Sequence, residues 1–294
     1  MKMNNTVSVT EGSIIKSPEN KMFAFFESII NKIFNRKSGV VSVLRLEGVI
    51  GKMSPASSFL TFESLREQID QAFKHKRLLA VCLVVNSPGG KPVQAELIAS
   101  YIRTLADEKA VPVYSFIEDV AASGGYWLAC AGDEIYASKS SIIGSIGVIS
   151  SGFGLQKAIE KLGIERRIYT QGENKSILDP FCAEKKEDVK IIKNVQAQIH
   201  SHFIAYVKSR RKSRLSQSDA FLFSGEFWPG QSAADFGLIE DIGDLYSVIR
   251  QKFGANVEIK YVKRKESFIK KYIGAKSDLV SLVKEQLLYD KFDL

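Results

Sequence analysis

Residues 78–85 (LLAVCLVV) form an almost continuous apolar run that ends in the segment NSPGG at residues 86–90. This pattern is typical of a strand that other elements cover on both faces, as in a parallel sheet. The residues from Pro92 onward predict a helix, and a second strand-like run follows at residues 111–117. The predicted apolar side of that helix carries Val93, Leu97, Ile98, Ile102 and Leu105. A repeating unit of strand, glycine turn and helix places the chain in the α/β class.

The segment AASGGY follows the second run at residues 121–126. A serine hydroxyl attacks a carbonyl only when a base takes its proton and donors face the resulting oxyanion. Gly124 and Gly125 permit a tight turn, and no side chain covers the Gly124 N–H. The apolar residues after them predict a helix that begins beside Ser123. Ser123 is therefore a candidate nucleophile, and the alternative is that this segment is an ordinary loop turn.

A base for Ser123 must come from elsewhere in the chain. The histidines at positions 75, 200 and 202 lie in a basic run and in a long predicted helix, where surface or packing roles are expected. A lysine serves as a base where burial penalises its ammonium form. Lys175 lies between the strand-like residues 167–170 and the apolar segment 177–181. The sequence therefore predicts that Lys175 is buried and suited to this role.

Five motifs follow one another in a specific order along the chain. They are NSPGG at residues 86–90, AASGGY at 121–126, GSIGV at 144–148, KS at 175–176 ahead of DPF at 179–181, and GQSAA at 230–234. Through these motifs the chain, from residue 41 to about residue 261, resembles the signal peptide peptidase (protease IV) family of the SppA and SohB types. The resemblance implies a ClpP/crotonase-like α/β fold and a serine endopeptidase that cleaves hydrophobic peptides, such as released signal peptides.

The same resemblance implies a role for individual residues. Ser123 corresponds to the nucleophile and Lys175 to the general base of a Ser/Lys dyad. The backbone N–H groups of Gly90 and Gly124 are the implied oxyanion donors, and Ser176 corresponds to a residue that orients the lysine. Members of this family form rings in which neighbouring subunits complete the substrate groove. The resemblance thus implies a homo-oligomer that acts on peptides, and it implies no cofactor.

Two other functions remain open on this fold. A crotonase-like acyl-CoA enzyme would use the same pair of amides to hold a thioester oxyanion. A non-catalytic scaffold would keep the fold and bind a membrane or a protein partner. Nucleotide binding is disfavoured because neither a P-loop nor a complete dinucleotide motif surrounds residues 89–90. The cysteines at positions 82, 130 and 182 have neither zinc-site nor disulfide-framework spacing, so no metal is expected.

The chain is predicted to have three parts. Residues 1–38 contain a polar leader and an amphipathic helix, residues 39–262 form the peptidase-like domain, and residues 263–294 form a C-terminal helical extension. The apolar side of residues 22–37 is suited to a membrane surface or to a neighbouring subunit.

The N-terminal residues and the net charge of the chain bear on its location and its partners. Residues 1–20 lack a secretory pattern, and residues 22–34 are too short and polar to span a bilayer. A cytoplasmic location, or a peripheral one on the inner membrane, is therefore expected. The net charge of +8 is not accompanied by an aromatic platform or a recognition helix, so no nucleic-acid partner is expected.

Overall fold

Eight strands form one sheet in the computed structural model, which describes residues 39–51 and 59–263. The strands are β1 (Val40–Glu47), β2 (Leu78–Ser87), β3 (Val113–Ala122), β4 (Glu134–Ala137), β5 (Ile142–Gly144), β6 (Phe227–Pro229), β7 (Asp241–Ile242) and β8 (Glu258–Tyr261). Their order is β6-β5-β3-β2-β1-β8, and β4 pairs with both β3 and β7. The pairing is parallel throughout except between β5 and β6.

Helices connect the strands, as the sequence predicts for an α/β fold. The helices in the described residues are α1 (Phe62–Ala72), α2 (Pro92–Lys109), α3 (Gly124–Ala129), α4 (Gln156–Lys161), α5 (Lys186–Arg211), α6 (Asp219–Leu222), α7 (Gly230–Asp235) and α8 (Leu245–Phe253). The α/β class, with strand, glycine turn and helix as the repeating unit, is confirmed. Within these described ranges, no helix has both the length and the apolar content that a membrane span requires.

Strand β2 lies inside the sheet and is covered on both faces. Because successive side chains of a strand point to opposite faces, the apolar run divides between two cores. Val81, Leu83 and Val85 pack in the core that includes residues of α1 and α2. Ala80, Cys82 and Val84 pack in the core that includes residues of α8. The continuous apolar run therefore reflects burial from both sides, as predicted.

Helix α2 packs on the sheet through a narrower stripe than the sequence predicts. Its buried residues are Ala95, Ile98, Ala99, Ile102 and Ala106. Val93 and Leu97, which were predicted to lie on the apolar side, are 60% and 43% exposed. The prediction was wrong at these two positions because it followed the large apolar residues, whereas the alanines let the helix approach the sheet closely.

The short helix α3 is buried in the centre of the domain. Every residue from Gly124 to Ala129 is buried. The Tyr126 hydroxyl donates a hydrogen bond to the Leu238 carbonyl at 2.7 Å, and the Trp127 ring stacks on Phe203 of α5 at a centroid distance of 4.8 Å. Contacts from two later segments of the chain thus fix the position of α3.

Both predicted helical extensions fall outside the described residues. These are the amphipathic helix predicted at residues 22–37 and the C-terminal extension predicted at residues 263–294, of which only residue 263 is described. The division of the chain into three parts accordingly stays a prediction.

The end of α5 carries a buried charge. Arg211 is 1% exposed; its Nε donates to the Gly237 carbonyl at 3.0 Å, and its Nη1 lies 3.0 Å from the Glu240 carboxylate. Arg214 pairs with the same carboxylate at 2.8 Å, but its side chain is 44% exposed. One carboxylate therefore holds one buried and one exposed guanidinium.

We expect Arg211→Met to lower the free energy of unfolding by about 3 kcal/mol, because it removes one partner of a buried ion pair. Arg214→Met is the matched control, and we expect it to cost less than about 1 kcal/mol because that pair is exposed to water. Urea denaturation of both variants measures the difference. Equal losses would contradict the view that burial makes the Arg211 contact important.

Candidate active site

Ser123 stands at the junction between β3 and α3. Its backbone has φ 53° and ψ −121°, a conformation that residues with a side chain rarely adopt. The Ser123 N–H donates to the Gly144 carbonyl at 2.8 Å, and the Ser123 carbonyl accepts from the Trp127 N–H at 3.1 Å. Its hydroxyl makes no capping bond to the helix. The surrounding structure thus holds a strained serine whose hydroxyl is not used in the helix cap.

The start of α3 lies directly against the end of β2. A Cβ atom built on Gly125 would lie 2.3 Å from the Ser87 carbonyl oxygen, far inside contact distance. A Cβ atom on Gly89 would lie 2.9 Å from both the Gly124 nitrogen and the Ser123 Cβ. Glycine at residues 89 and 125 is therefore required, because two backbone segments meet there without space for a side chain.

The backbone nitrogens of Gly90 and Gly124 lie near each other at the turn that contains Ser123. Ile50 forms a parallel bridge with Gly90: the Ile50 N–H donates to the Gly89 carbonyl, and the Ile50 carbonyl accepts from the Lys91 N–H, both at 2.8 Å. In this pairing the N–H of Gly90 itself points away from Ile50. A Cβ atom on Gly124 would lie 3.4 Å from the Gly90 nitrogen.

Neither amide is used by the fold in the described part of the chain. No backbone hydrogen bond there has the Gly90 or the Gly124 N–H as its donor. Gly124 is the first residue of α3, a position whose N–H has no partner within the helix. Two neighbouring N–H donors that the fold does not use can stabilise the oxyanion that forms on a carbonyl oxygen when a serine attacks the carbonyl carbon.

Lys175 lies in a segment of the chain that does not pack into the core. It belongs to the segment of residues 149–185, here called the arm, which connects β5 to α5 and contains no buried residue. Lys175 is exposed and Ser176 is half-buried. The predicted burial of Lys175 was wrong for this single chain, and residues 167–170 form no strand because no neighbouring strand pairs with them.

The arm is folded although it is not buried. The Leu155 N–H donates to the Pro180 carbonyl at 2.6 Å, and Arg166 pairs with Asp179 at 2.9 Å. The Arg166 guanidinium holds the pKa of the Asp179 carboxyl below its ordinary value. These contacts lie within the arm, so they give it a shape of its own.

Large apolar side chains of the arm face solvent in the single chain. They are Ile149 (85% exposed), Phe153 (84%), Leu162 (73%), Ile164 (55%) and Tyr169 (90%). A set of this size, exposed on one segment, is typical of a surface that another molecule covers.

The other candidate groups have structural roles. The His200 Nε2 lies 2.9 Å from the Ile146 carbonyl oxygen, which fits the predicted packing role. Cys82 and Cys130 are buried, and burial raises the pKa of both thiols, that of Cys130 to about 12. Within residues 39–51 and 59–263, no hydrogen bond joins Ser123 to a histidine, to a cysteine or to Lys175.

The sequence analysis assigned no role to Asn86, the first residue of the NSPGG motif, or to Asp119, which lies two residues before the AASGGY motif. Their side chains bond to each other at 2.7 Å, where β2 and β3 run toward the site. No local pattern signals this contact, because it joins residues 33 positions apart.

Comparison with known proteins gives a family and several relatives. The model of peptidase family S49 matches residues 106–258. A Brucella melitensis protein named Na(+)/H(+) antiporter NhaA is 45% identical over 238 residues, which are 80% of this chain and 32% of that protein. The chloroplastic serine protease SPPA of Arabidopsis thaliana is 31% identical over 220 residues, 71% of this chain and 31% of the relative. The chain thus spans about a third of the length of these two relatives.

Solved structures also resemble the chain. The 1510-N membrane-bound stomatin-specific protease aligns with a TM-score of 0.48 and 16% identity, over 76% of this chain and 98% of that one.

We expect Gly125→Ala to lower the free energy of unfolding by about 3 kcal/mol, because its methyl group would overlap the Ser87 carbonyl. Gly124→Ala is the matched control. Its methyl group would first meet the terminal Cδ1 atom of the Ile50 side chain at 3.1 Å, so a loss of no more than about 1 kcal/mol is expected. Urea denaturation distinguishes the two, and a Gly125→Ala protein as stable as the wild type would contradict the close packing described here.

Proposed function

The chain belongs to peptidase family S49, whose members are serine peptidases, and from this premise we propose that Ser123 is the nucleophile of a Ser/Lys dyad completed by Lys175. Membership confirms the predicted relation to the SppA and SohB peptidases. The observation that carries the proposal is the strained Ser123, held beside the N–H groups of Gly90 and Gly124.

The proposed reaction begins at the scissile carbonyl carbon of a peptide. The Ser123 Oγ attacks this carbon while the Lys175 amine takes the hydroxyl proton. The carbonyl oxygen becomes an oxyanion and accepts hydrogen bonds from Gly90 and Gly124, each contributing roughly 3 kcal/mol to transition-state stabilisation. Lys175 then returns the proton to the leaving amine as the C–N bond breaks, which leaves an acyl-enzyme on Ser123. Water, deprotonated by the same lysine, releases the acid product.

The exposure of Lys175 decides how the dyad assembles. A neutral amine needs surroundings that exclude water, and the arm of a single chain supplies none. We place Lys175 in the active site of a neighbouring subunit of a homo-oligomer, with Ser176 beside it to orient the amine. The exposed apolar side chains of the arm support this arrangement, because subunit contact would bury them together with the lysine.

The proposed substrates are hydrophobic peptides, such as released signal peptides. Val93 and Leu97 lie one turn apart on α2, the helix that follows Gly90, and both are exposed. Both side chains are close in sequence to Gly90, one of the two proposed oxyanion donors, and we propose that they contact apolar residues of the peptide.

Other activities are less well supported. An acyl-CoA enzyme or a non-catalytic scaffold would not account for the match to a peptidase family over residues 106–258. The antiporter name belongs to a Brucella protein of which this chain covers 32%, and we do not extend ion transport to this chain. Membrane contact through residues 22–37 and a cytoplasmic or membrane-peripheral location stay predictions.

The dyad predicts that Ser123→Ala and Lys175→Ala each lower kcat/KM for a hydrophobic peptide by more than about 10³-fold. Lys157→Ala, which removes another exposed lysine of the arm, is the control and should retain wild-type activity. A fluorogenic peptide assay on folded variants measures these rates. Wild-type cleavage by either dyad variant would contradict the assignment.

Mixed oligomers test whether Lys175 acts across the subunit interface. Co-expressed Ser123→Ala and Lys175→Ala subunits would form some sites with an intact serine from one chain and an intact lysine from the next. Random assembly should restore about a quarter of the wild-type activity. Mixed oligomers as inactive as the two parents would show that the dyad does not form between subunits.

A further inference from the structure

The pairing of β2 with β3 is interrupted at Asn86. Val85 pairs with Ile117, and the next pair joins Ser87 to Ala121. Asn86 therefore stands opposite residues 118–120 of β3, three residues against one. A bulge of this kind bends the strand that carries the extra residues and changes the direction in which the strand leaves the sheet.

Side chains replace the missing backbone pairing in the bulge. The Asn86 Nδ2 donates to the Asp119 carboxylate at 2.7 Å, and the Asn86 Oδ1 accepts from the Val120 N–H at 3.3 Å. From the other side, the buried Ser141 hydroxyl donates to the Glu118 carbonyl at 2.5 Å. One amide side chain, that of Asn86 on β2, thus binds the bulged residues of β3.

The bulge lies just before both segments of the active site. Gly89 and Gly90 follow Asn86 just after the end of β2, and Ser123 and Gly124 follow Val120 just after the end of β3. The two segments then come into contact, since a Cβ atom on Gly89 would lie 2.9 Å from the Gly124 nitrogen. Any change in spacing at Asn86 is transmitted over three or four residues to this contact.

We infer that Asn86, through its bond to Asp119, is a positioning residue that sets the relative placement of the Gly90 and Gly124 N–H groups. It acts through the bulge and the two turns. The inference rests on the proposed function, because the placement of these donors affects catalysis only if they bind an oxyanion. A displacement of about 1 Å at such donors can lower kcat by up to about 10²-fold.

Exchanging the two side chains isolates the hydrogen bond. In Asn86→Asp, two carboxylates face each other and no donor remains between them, although the acceptor for the Val120 N–H is kept. In Asp119→Asn, the Asn86 amide still has an oxygen acceptor. In the double variant, the new amide at position 119 donates to the new carboxylate at position 86, so the bond returns with its direction reversed.

We expect kcat for a fluorogenic peptide to fall about tenfold in Asn86→Asp, with KM unchanged. Asp119→Asn should stay within about twofold of wild type, and the double variant should recover to within about threefold. A peptide aldehyde forms a hemiacetal with Ser123, and the former carbonyl oxygen of this adduct is the oxyanion. The affinity for the aldehyde should fall by the same factor as kcat. The affinity for the matching peptide alcohol, which forms none, should not change.

Three kinetic or binding results would overturn the inference. These are a wild-type kcat in Asn86→Asp, a double variant no better than Asn86→Asp, or equal losses of affinity for the aldehyde and the alcohol. Hydrogen exchange tests the positioning role of Asn86 independently of peptide cleavage, so it distinguishes a wrong inference from a wrong proposed function. Backbone amides of residues 86–92 and 118–126 should exchange their hydrogens faster in Asn86→Asp and at the wild-type rate in the double variant. This holds even for a protein that cleaves no peptide. Unchanged exchange in Asn86→Asp would also reject the inference.

Discussion

The site depends on a backbone-to-backbone contact between two turns. At Gly89 and Gly90, just after the end of β2, the chain touches the start of α3 so closely that added Cβ atoms would overlap backbone atoms. This contact explains the glycines, the positive φ of Ser123 and the proximity of two backbone nitrogens whose N–H groups the fold does not use. It is itself held in place by the buried helix α3, which Tyr126 and Trp127 anchor to later parts of the chain.

The sequence predicted this half of the molecule well because the relevant signals are local. The run at residues 78–85 marked a strand covered on both faces, and Ser123 stood at a helix start as expected. A glycine-rich turn after an apolar strand indicates a close backbone approach, even when the residues that approach it are not known. The bonds at Asn86 escaped prediction because they depend on the register between two strands, which no local pattern specifies.

Burial was predicted least well on the arm and on α2. Apolar neighbours indicated a covered site for Lys175, yet Lys175 is exposed and Tyr169 is 90% exposed in the single chain. An apolar sequence shows that a segment avoids water but does not show whether its own chain or another chain covers it. The same reasoning applies to Val93 and Leu97, which our proposal assigns to contact with the peptide.

In the proposed reaction, Ser123 forms a covalent acyl intermediate with the peptide substrate. The most direct measurement is intact-mass analysis of the wild-type chain after treatment with a serine-directed fluorophosphonate, followed by peptide mapping. We expect one adduct per chain, located on Ser123 and prevented by prior binding of a peptide aldehyde. An unlabelled folded oligomer, or an adduct on a different serine, would contradict it.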